Sequence, residues 1–354
     1  MADPSLLWAD AFEYPDSEIA LHYNYVLNGS SVNAIGTTYG TGSRRGFGTS
    51  ANANSNLIGK TVLDLAASSF EGRFIVLGGS PSVSTLYQVA FYDAVGSTNQ
   101  ITLRLGSDNL FRVYRGSTLI ATFLTAIVPN VYYHVGIKVL INSSTGTLLT
   151  TLNGVTQNNL TGINTQISNA FTSRIDFGIN AVSSTTDALR VGWSDVCIQA
   201  DASASNVSLR GDCAALRLAV TSDATPNDGT TTSGTDHYAM VDDGNSGHDG
   251  DTTTLTLSTT GNEERFGHEN LPASVTAVKA VCQRAVTKKD DAGTAKYKFR
   301  LRISSTNYDS AQFAPSLNTY DEHYKGRILN PDTSAEFTPG EVDALVGGFV
   351  RDDS

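Results

Sequence analysis

The chain's clearest hydrophobic pattern is a strict alternation from Lys296 to Ile303. Lys296, Lys298, Arg300 and Arg302 interleave with Tyr297, Phe299, Leu301 and Ile303. Successive side chains of a strand point to opposite faces, so this segment predicts a strand with one apolar face and one cationic ladder. Val275–Val286, rich in Val and Ala, reads as its partner, and Asp290, Asp291, Ala292 and Gly293 supply turn chemistry for one long hairpin. Upstream, apolar runs predict strands at Phe70–Leu77, Leu86–Asp93, Ile101–Leu105, Leu110–Tyr114 and Leu119–Phe123. Others lie at Tyr132–Ile141, Leu148–Leu152, Ile175–Gly178 and Leu189–Ile198. A tight turn is expected at Arg115–Thr118, and Asn153-Gly154 is a strong two-residue hairpin signal. Short strands at regular spacing, separated by turn residues, predict a sandwich or jelly roll rather than a βαβ fold.

One helix is expected, near the C-terminus. Thr338 serves as N-cap, Pro339 occupies the first helical position and Glu341 completes a capping box. Val342, Leu345 and Val346 would bury one face, Gly347-Gly348 would stop the helix, and Phe349-Val350 would add a final strand. Asp201–Gly211 is small and polar and reads as a linker, with a strand restarting over Asp212–Val220. Residues 221–260 are rich in Asp, Gly, Thr and Asn, with apolar islands only at Tyr238–Val241 and Leu255–Leu257, and read as loops with short strands. The expected division is therefore 1–200, a linker over 201–211, and a second domain over 212–354.

Composition agrees with an all-β chain of 354 residues, with abundant Gly, Ser, Thr and Asn and few helix-forming runs. The net charge of −11 argues against bulk nucleic-acid binding, which needs cationic surface to displace counterions. Charge is also uneven: residues 1–200 carry 12 acidic and 10 basic side chains, residues 201–354 carry 23 and 14. The basic ladder is four of those 14 cations. It is thus expected to compensate charge internally or to form a docking edge. Cys197, Cys213 and Cys282 are too few and too scattered for a disulfide framework or metal site. No apolar run reaches membrane-spanning length and the first residues lack a leader pattern, so a reduced, cytoplasmic assembly site without membrane insertion is expected. The Asn28 and Asn159 sequons then carry no glycosylation meaning.

Two resemblances attach to particular residues. Tyr133–Val139, Ser143–Thr147 and Thr151–Gly154 in order resemble the concanavalin A-like, laminin-G-type jelly roll. In that family a central strand led by an aromatic and His precedes an Asn-Gly hairpin. Ala188–Ile198 is similar to its closing strand and Leu7–Glu13 to the N-terminal strand beside which that strand returns. The likeness spans about residues 5–200 and implies a fold shared by lectins, hydrolases and scaffolds. Residues 211–353 resemble a structural module of tailed-phage virion proteins. The matching elements are Gly211-Asp212, Tyr238, Asp242-Asp243, Leu271-Pro272-Ala273, Lys289–Thr294, Tyr308-Asp309, Asn330-Pro331-Asp332 and Glu341–Leu345. Phe337 stands where that family commonly has Trp before the helix. The resemblance implies a virion component, in capsid decoration or in a tail or fibre. Its partners would be other virion proteins, further copies of itself and a host-surface glycan.

Candidate chemistry is sparse. Residues 1–200 show no close carboxylate pair on a clear strand, as a retaining glycosidase would need. The nearest acid pattern, Glu341-Val342-Asp343, falls on the expected helix. Asp242–Asp251 has oxygen ligands at loop spacing suited to Ca²⁺ but no closing bidentate Glu, so a solvated acidic loop is favoured. His22, His134, His237, His248, His268 and His323 contain no metal-binding pair, and His134 reads as a hydrogen-bonded core residue. Arg44-Arg45-Gly46-Phe47-Gly48 reads as an exposed loop. No nucleophile elbow, phosphate-binding loop or dinucleotide fingerprint occurs. The expectation is a non-enzymatic protein with no catalytic residues, cofactor or metal. The competing reading is a carbohydrate-active enzyme or lectin on a concanavalin A-like fold.

Overall fold

The computed structural model describes residues 6–10, 12, 25–27, 34–36, 46–50, 56–77, 86–93, 98–181, 190–243 and 248–354. They form two compact units, Met1–Ala215 and Leu216–Ser354. The first contains strands β1 (Leu6–Asp10), β2 (Tyr25–Leu27), β3 (Ala34–Gly36), β4 (Gly46–Ser50), β5 (Asn56–Leu65), β6 (Ala67–Leu77), β7 (Leu86–Tyr92) and β8 (Asn99–Leu105). It continues with β9 (Phe111–Arg115), β10 (Thr118–Thr122), β11 (Tyr133–Leu140), β12 (Gly146–Leu152), β13 (Val155–Ile163), β14 (Thr172–Ala181) and β15 (Arg190–Asp201). An eight-stranded sheet runs β13-β12-β11-β6-β15-β4-β3, with β1 also on β15, and a seven-stranded sheet runs β10-β9-β8-β7-β14-β5-β2. The expected all-β jelly-roll sandwich is present. Its N-terminal strand pairs antiparallel with its closing strand, Trp8 opposite Ile198.

The inward face of each strand follows from its alternation. Phe70, Phe74 and Trp193 come from the eight-stranded sheet, Phe111 and Phe177 from the other, and all five are fully buried. Trp193 sits 4.9 Å from Phe70 and 4.7 Å from Phe74, and Phe74 lies 5.3 Å from Phe111. Gly72 makes room for this cluster, since a Cβ there would lie 3.1 Å from the Trp193 ring. The Asn153-Gly154 turn forms as expected: both residues have positive φ, 50° and 76°, and Leu152 faces Val155. The Arg115–Thr118 turn forms likewise, with Gly116 at φ 54°.

The second unit contains β16 (Val220–Asn227), β17 (Thr230–Thr231), β18 (Leu255–Thr256), β19 (Glu263–His268), β20 (Val281–Thr287), β21 (Tyr297–Ile303), β22 (Thr306–Asp309), β23 (Asp321–Arg327), α1 (Pro339–Asp343) and β24 (Val346–Arg351). A five-stranded sheet runs β16-β19-β24-β21-β22, flanked by the ribbons β17-β18 and β20-β23. The expected hairpin between Val275–Val286 and the basic strand does not form. Val281–Thr287 pairs with Asp321–Arg327, while Tyr297–Ile303 pairs with β22 and β24. Ser304, at φ 53°, closes a two-residue turn that brings β22 directly alongside β21, and β24 takes the other edge.

Two other expectations are corrected. The strand begins at Val220, so Asp212–Ala219 lies outside it. Helix α1 has the full capping box, but Gly347-Gly348 does not stop it: the helix ends at Asp343 with Ala344 as its C-cap, and both glycines lie within β24. A Cβ on Gly348 would fall 1.9 Å from the Glu264 carbonyl oxygen, so this position is glycine because the neighbouring backbone passes there. The aromatic before the helix anchors it as expected, with Phe337 buried beside Leu301, Ile303, Val342 and Leu345.

Candidate functional site

The outer face of the seven-stranded sheet carries a concentrated arrangement of polar and aromatic groups. Ile101, Leu103, Phe111, Val113, Val89, Phe91, Ile175 and Phe177 point into the core. Alternation therefore turns Thr102, Arg104, Arg112, Tyr114, Ala90, Tyr92, Arg174 and Asp176 outward. Register sets them side by side: Asp176 faces Ala90, Ala90 faces Thr102, and Thr102 faces Tyr114. Two small buried side chains, Ala90 and Thr102, thus lie between two larger clusters, in which Tyr92 and Tyr114 are half-buried. On one side Arg174, directly opposite Tyr92, stacks over its ring at 4.4 Å and holds Asp176 through Nε at 2.6 Å and Nη2 at 2.8 Å. On the other, Arg104 lies diagonal to Tyr114 and stacks over its ring at 4.1 Å. Arg104 also donates to Thr102 Oγ1 at 3.0 Å and to the Gly116 carbonyl at 2.8 Å.

Asp176 has the chemistry of a site residue. Burial pushes its carboxyl up to about 6, against the lowering effect of the Arg174 hydrogen bonds and charge. A carboxyl with that value exchanges its proton near neutral pH, the property a general acid or base needs. Beside this face, at an irregularity in β7, Gln88 is buried with both amide atoms lacking a partner.

The outer face of the eight-stranded sheet holds a second set of titratable groups. Glu71 and Arg73 of β6 face Gly136 and His134 of β11. On the other side, β15 bulges between Ser194 and Cys197 with Asp195 at φ 52°. Glu71 and Asp195 thus sit on neighbouring strands, a juxtaposition of carboxylates from positions 124 residues apart that no local motif announces. Burial raises the Glu71 carboxyl to about 7. It lowers His134 to about 4, so the ring is neutral over the ordinary pH range. His134 is buried as expected. Its backbone N–H donates to Asn153 Oδ1 at 2.8 Å, yet its Nδ1 has no partner and its Nε2 stands 3.9 Å from Glu71. This face is covered by residues 203–215 and is closed to a large ligand as it stands.

In the second unit two cations of the basic ladder, Lys298 and Arg300, are paired with carboxylates of the same unit, and all four have hydrogen-bond partners there. Arg300 holds Asp309 and Glu263, Lys298 pairs with Asp352, Arg302 donates to Asn307, and Lys296 reaches the Ser354 carbonyl. Of the expected charge-compensation and docking-edge readings, these contacts supply the first. In the Asp242–Asp251 loop, residues 244–247 lie outside those described. Asp243 accepts the Asp249 N–H, Asp249 holds Thr253, and Asp251 pairs with Lys288 and accepts from the Tyr320 hydroxyl. Among the described residues no group of three or more His, Cys, Asp or Glu is placed to hold a metal. His237 meets the buried Glu264 at 3.0 Å inside the fold. Of Arg44–Gly48, Gly46–Ser50 form a strand in place of the expected loop, and Arg44 and Arg45 lie outside the described residues, as do His22, Asn28 and Glu13.

No protein-family profile and no curated relative matches the chain. Solved structures similar to it include an endo-β-1,4-glucuronan lyase from Trichoderma reesei, at TM-score 0.43 and 9% identity over 56% of this chain and 95% of that one. The alginate lyase Aly36B matches at TM-score 0.40 and 12% identity over 56% and 98%. A GH131 β-glucanase catalytic domain from Podospora anserina matches at TM-score 0.36 and 15% identity over 54% and 90%. The expectation of a non-enzymatic chain is corrected accordingly: proteins similar to this all-β sandwich include polysaccharide lyases and a glucanase. The missing acid motif was a weak basis for it, because groups such as Arg174 and Tyr92 are assembled across strands.

Proposed function

We propose that the chain is a carbohydrate-active protein whose N-terminal jelly roll engages a saccharide along the outer face of its seven-stranded sheet. The observation that carries this reading is the pair of half-buried tyrosines on that face, Tyr92 and Tyr114, each held in place by a stacked, buried arginine. Tyrosine rings present apolar faces to the C–H surface of a sugar ring, while fixed guanidinium, hydroxyl and carboxyl groups select hydroxyls by hydrogen bonding. Asp176, poised near 6, would supply proton transfer if the bound glycan is also cleaved. The proton-donor role would weaken as pH rises above that value, and the proton-acceptor role as it falls below.

The test is titration of the full chain against a glycan array, with turnover on a polysaccharide panel read by new chain ends. Tyr114→Ala and Tyr92→Ala are expected to weaken binding at least tenfold, and Asp176→Asn to abolish any turnover. Binding that survives both tyrosine changes, or no binding to any glycan, would sink the reading. Placement on a tailed-phage particle, beside other virion proteins and copies of itself, is supported by the sequence resemblance of residues 211–353. Gold labelling of purified particles tests it, and label absent from every particle would remove it.

A further inference from the structure

We infer that residues 203–215 form a pH-sensitive latch over the outer face of the eight-stranded sheet, closed on the Glu71 carboxyl and loosened when that carboxyl becomes charged. The fastening is specific. Glu71, 1% exposed, accepts the backbone N–H of Arg210 at 2.6 and 2.8 Å and that of Gly211 at 3.0 Å. Gly211 takes φ +84°, a left-handed turn that lets two successive N–H groups converge on one carboxyl. Gln199 donates to the Ser208 carbonyl at 2.6 Å and accepts the Ser208 N–H at 3.3 Å. Lys138 donates to the Ala204 carbonyl at 2.8 Å, and Asp195 accepts the Ala215 N–H at 3.0 Å. Leu209 seats over Gly136, where a Cβ would come within 3.1 Å of its methyl.

The charges around Glu71 fix the sign. From β11 come His134, whose ring stays neutral above about 4 and so offers no counter-charge, and the Lys138 ammonium, which is held on the Ala204 carbonyl. Arg73, on the same strand as Glu71, is held by Asp212 at 3.0 Å and Asp195 at 3.8 Å. From the segment itself come the Arg210 cation, Asp212 and Cys213, whose thiol burial holds up to about 11 and therefore uncharged. Ionising Glu71 thus leaves a negative charge shut away from water, with the Arg210 cation and the two N–H groups as its counterweight. Burial outweighs the N–H bonds and Arg210 and raises its carboxyl from 4.5 to about 7. A released segment would return Glu71 to water and to its ordinary value. The closed state therefore binds the extra proton between 4.5 and about 7, and its advantage is lost as pH rises through that window. The opening equilibrium should grow on the order of hundredfold from pH 4.5 to pH 8.

Hydrogen–deuterium exchange of the full chain tests this, with rates corrected for the intrinsic pH dependence of exchange. Protection of the peptide covering 203–215 is expected to fall by tens- to hundredfold between pH 5 and pH 8, while that of β11 and β12 holds. Glu71→Gln, which cannot ionise, is expected to show the same protection at both pH values. Equal protection in the native chain, or a pH dependence that persists in Glu71→Gln, would overturn the latch. A carboxyl carbon titration of Glu71 in the native chain reads the same property without a variant. A midpoint near 7 supports the latch, and one at or below 4.5 overturns it.

Discussion

At the scale of single residues, burial decides the chemistry more than residue type does. His134, Glu71 and Asp176 are ordinary titratable groups in the sequence, yet each lies almost wholly out of water on an outer sheet face. Burial moves His134 down and both carboxyls up, because each then favours its neutral form. For His134 the unfolded chain binds more protons between 6.5 and about 4, so its contribution to stability is full above 6.5 and is lost as pH falls through that window. His134→Phe is expected to remove this loss, worth up to about 3 kcal/mol at the acid end. Melting temperature recorded from pH 4 to 7 for both proteins checks it, and identical acid slopes would contradict it. That His134 is interior was legible from its place in an apolar strand. That its Nδ1 would be left without a partner was not, since this depends on which side chains reach it from other strands.

At the scale of elements, local signals succeeded where the structure is local. Asn153-Gly154, Gly116 and the Thr338–Glu341 capping box each involve residues within a few positions of one another, and all formed as their chemistry requires. The basic strand shows the limit. Its alternation gave the strand and its two faces, but the apolar partner chosen by proximity in sequence was wrong, because β24 and β22 compete for the same edges. Gly347-Gly348 was misread for a related reason: glycine after a helix commonly stops it, but here the demand came from the Glu264 backbone alongside. Gly348→Ala is accordingly expected to cost at least about 3 kcal/mol, since two backbones must separate. Chemical denaturation followed by fluorescence measures it, and a loss under 1 kcal/mol would show that the sheet yields there.

At the scale of the molecule, the division between residues 215 and 216 places the small polar stretch after Asp201 with the jelly roll. That stretch was expected to be a linker on composition, and its side chains are those of a linker. Its role comes from backbone groups instead: the N–H groups of Arg210, Gly211 and Ala215 and the carbonyls of Ala204 and Ser208 meet side chains of the sheet. A chain ending at Ala215 is expected to keep the melting transition of the first unit. One ending at Asp201 should melt lower by on the order of 10 °C, from several lost hydrogen bonds and the loss of Leu209 packing over Gly136. Calorimetry of the two truncations decides it, and equal transitions would mean the segment adds no stability.

The sequence by itself determined that the chain is all-β, where most strands run, which face of each is apolar, and where the capped helix Pro339–Asp343 begins. These follow from alternation, turn residues and caps, which act over a few positions and need no knowledge of neighbours. Only the tertiary structure decided which strands pair, and with that which polar residues meet. Arg174 and Tyr92 stand more than eighty positions apart, as do Arg210 and Glu71, and Arg104 and Tyr114 lie on separate strands. The Arg174-Ile175-Asp176 spacing is local and was visible in the sequence, but its meeting with Tyr92, like that of Glu71 with Arg210, is a product of long-range pairing and burial.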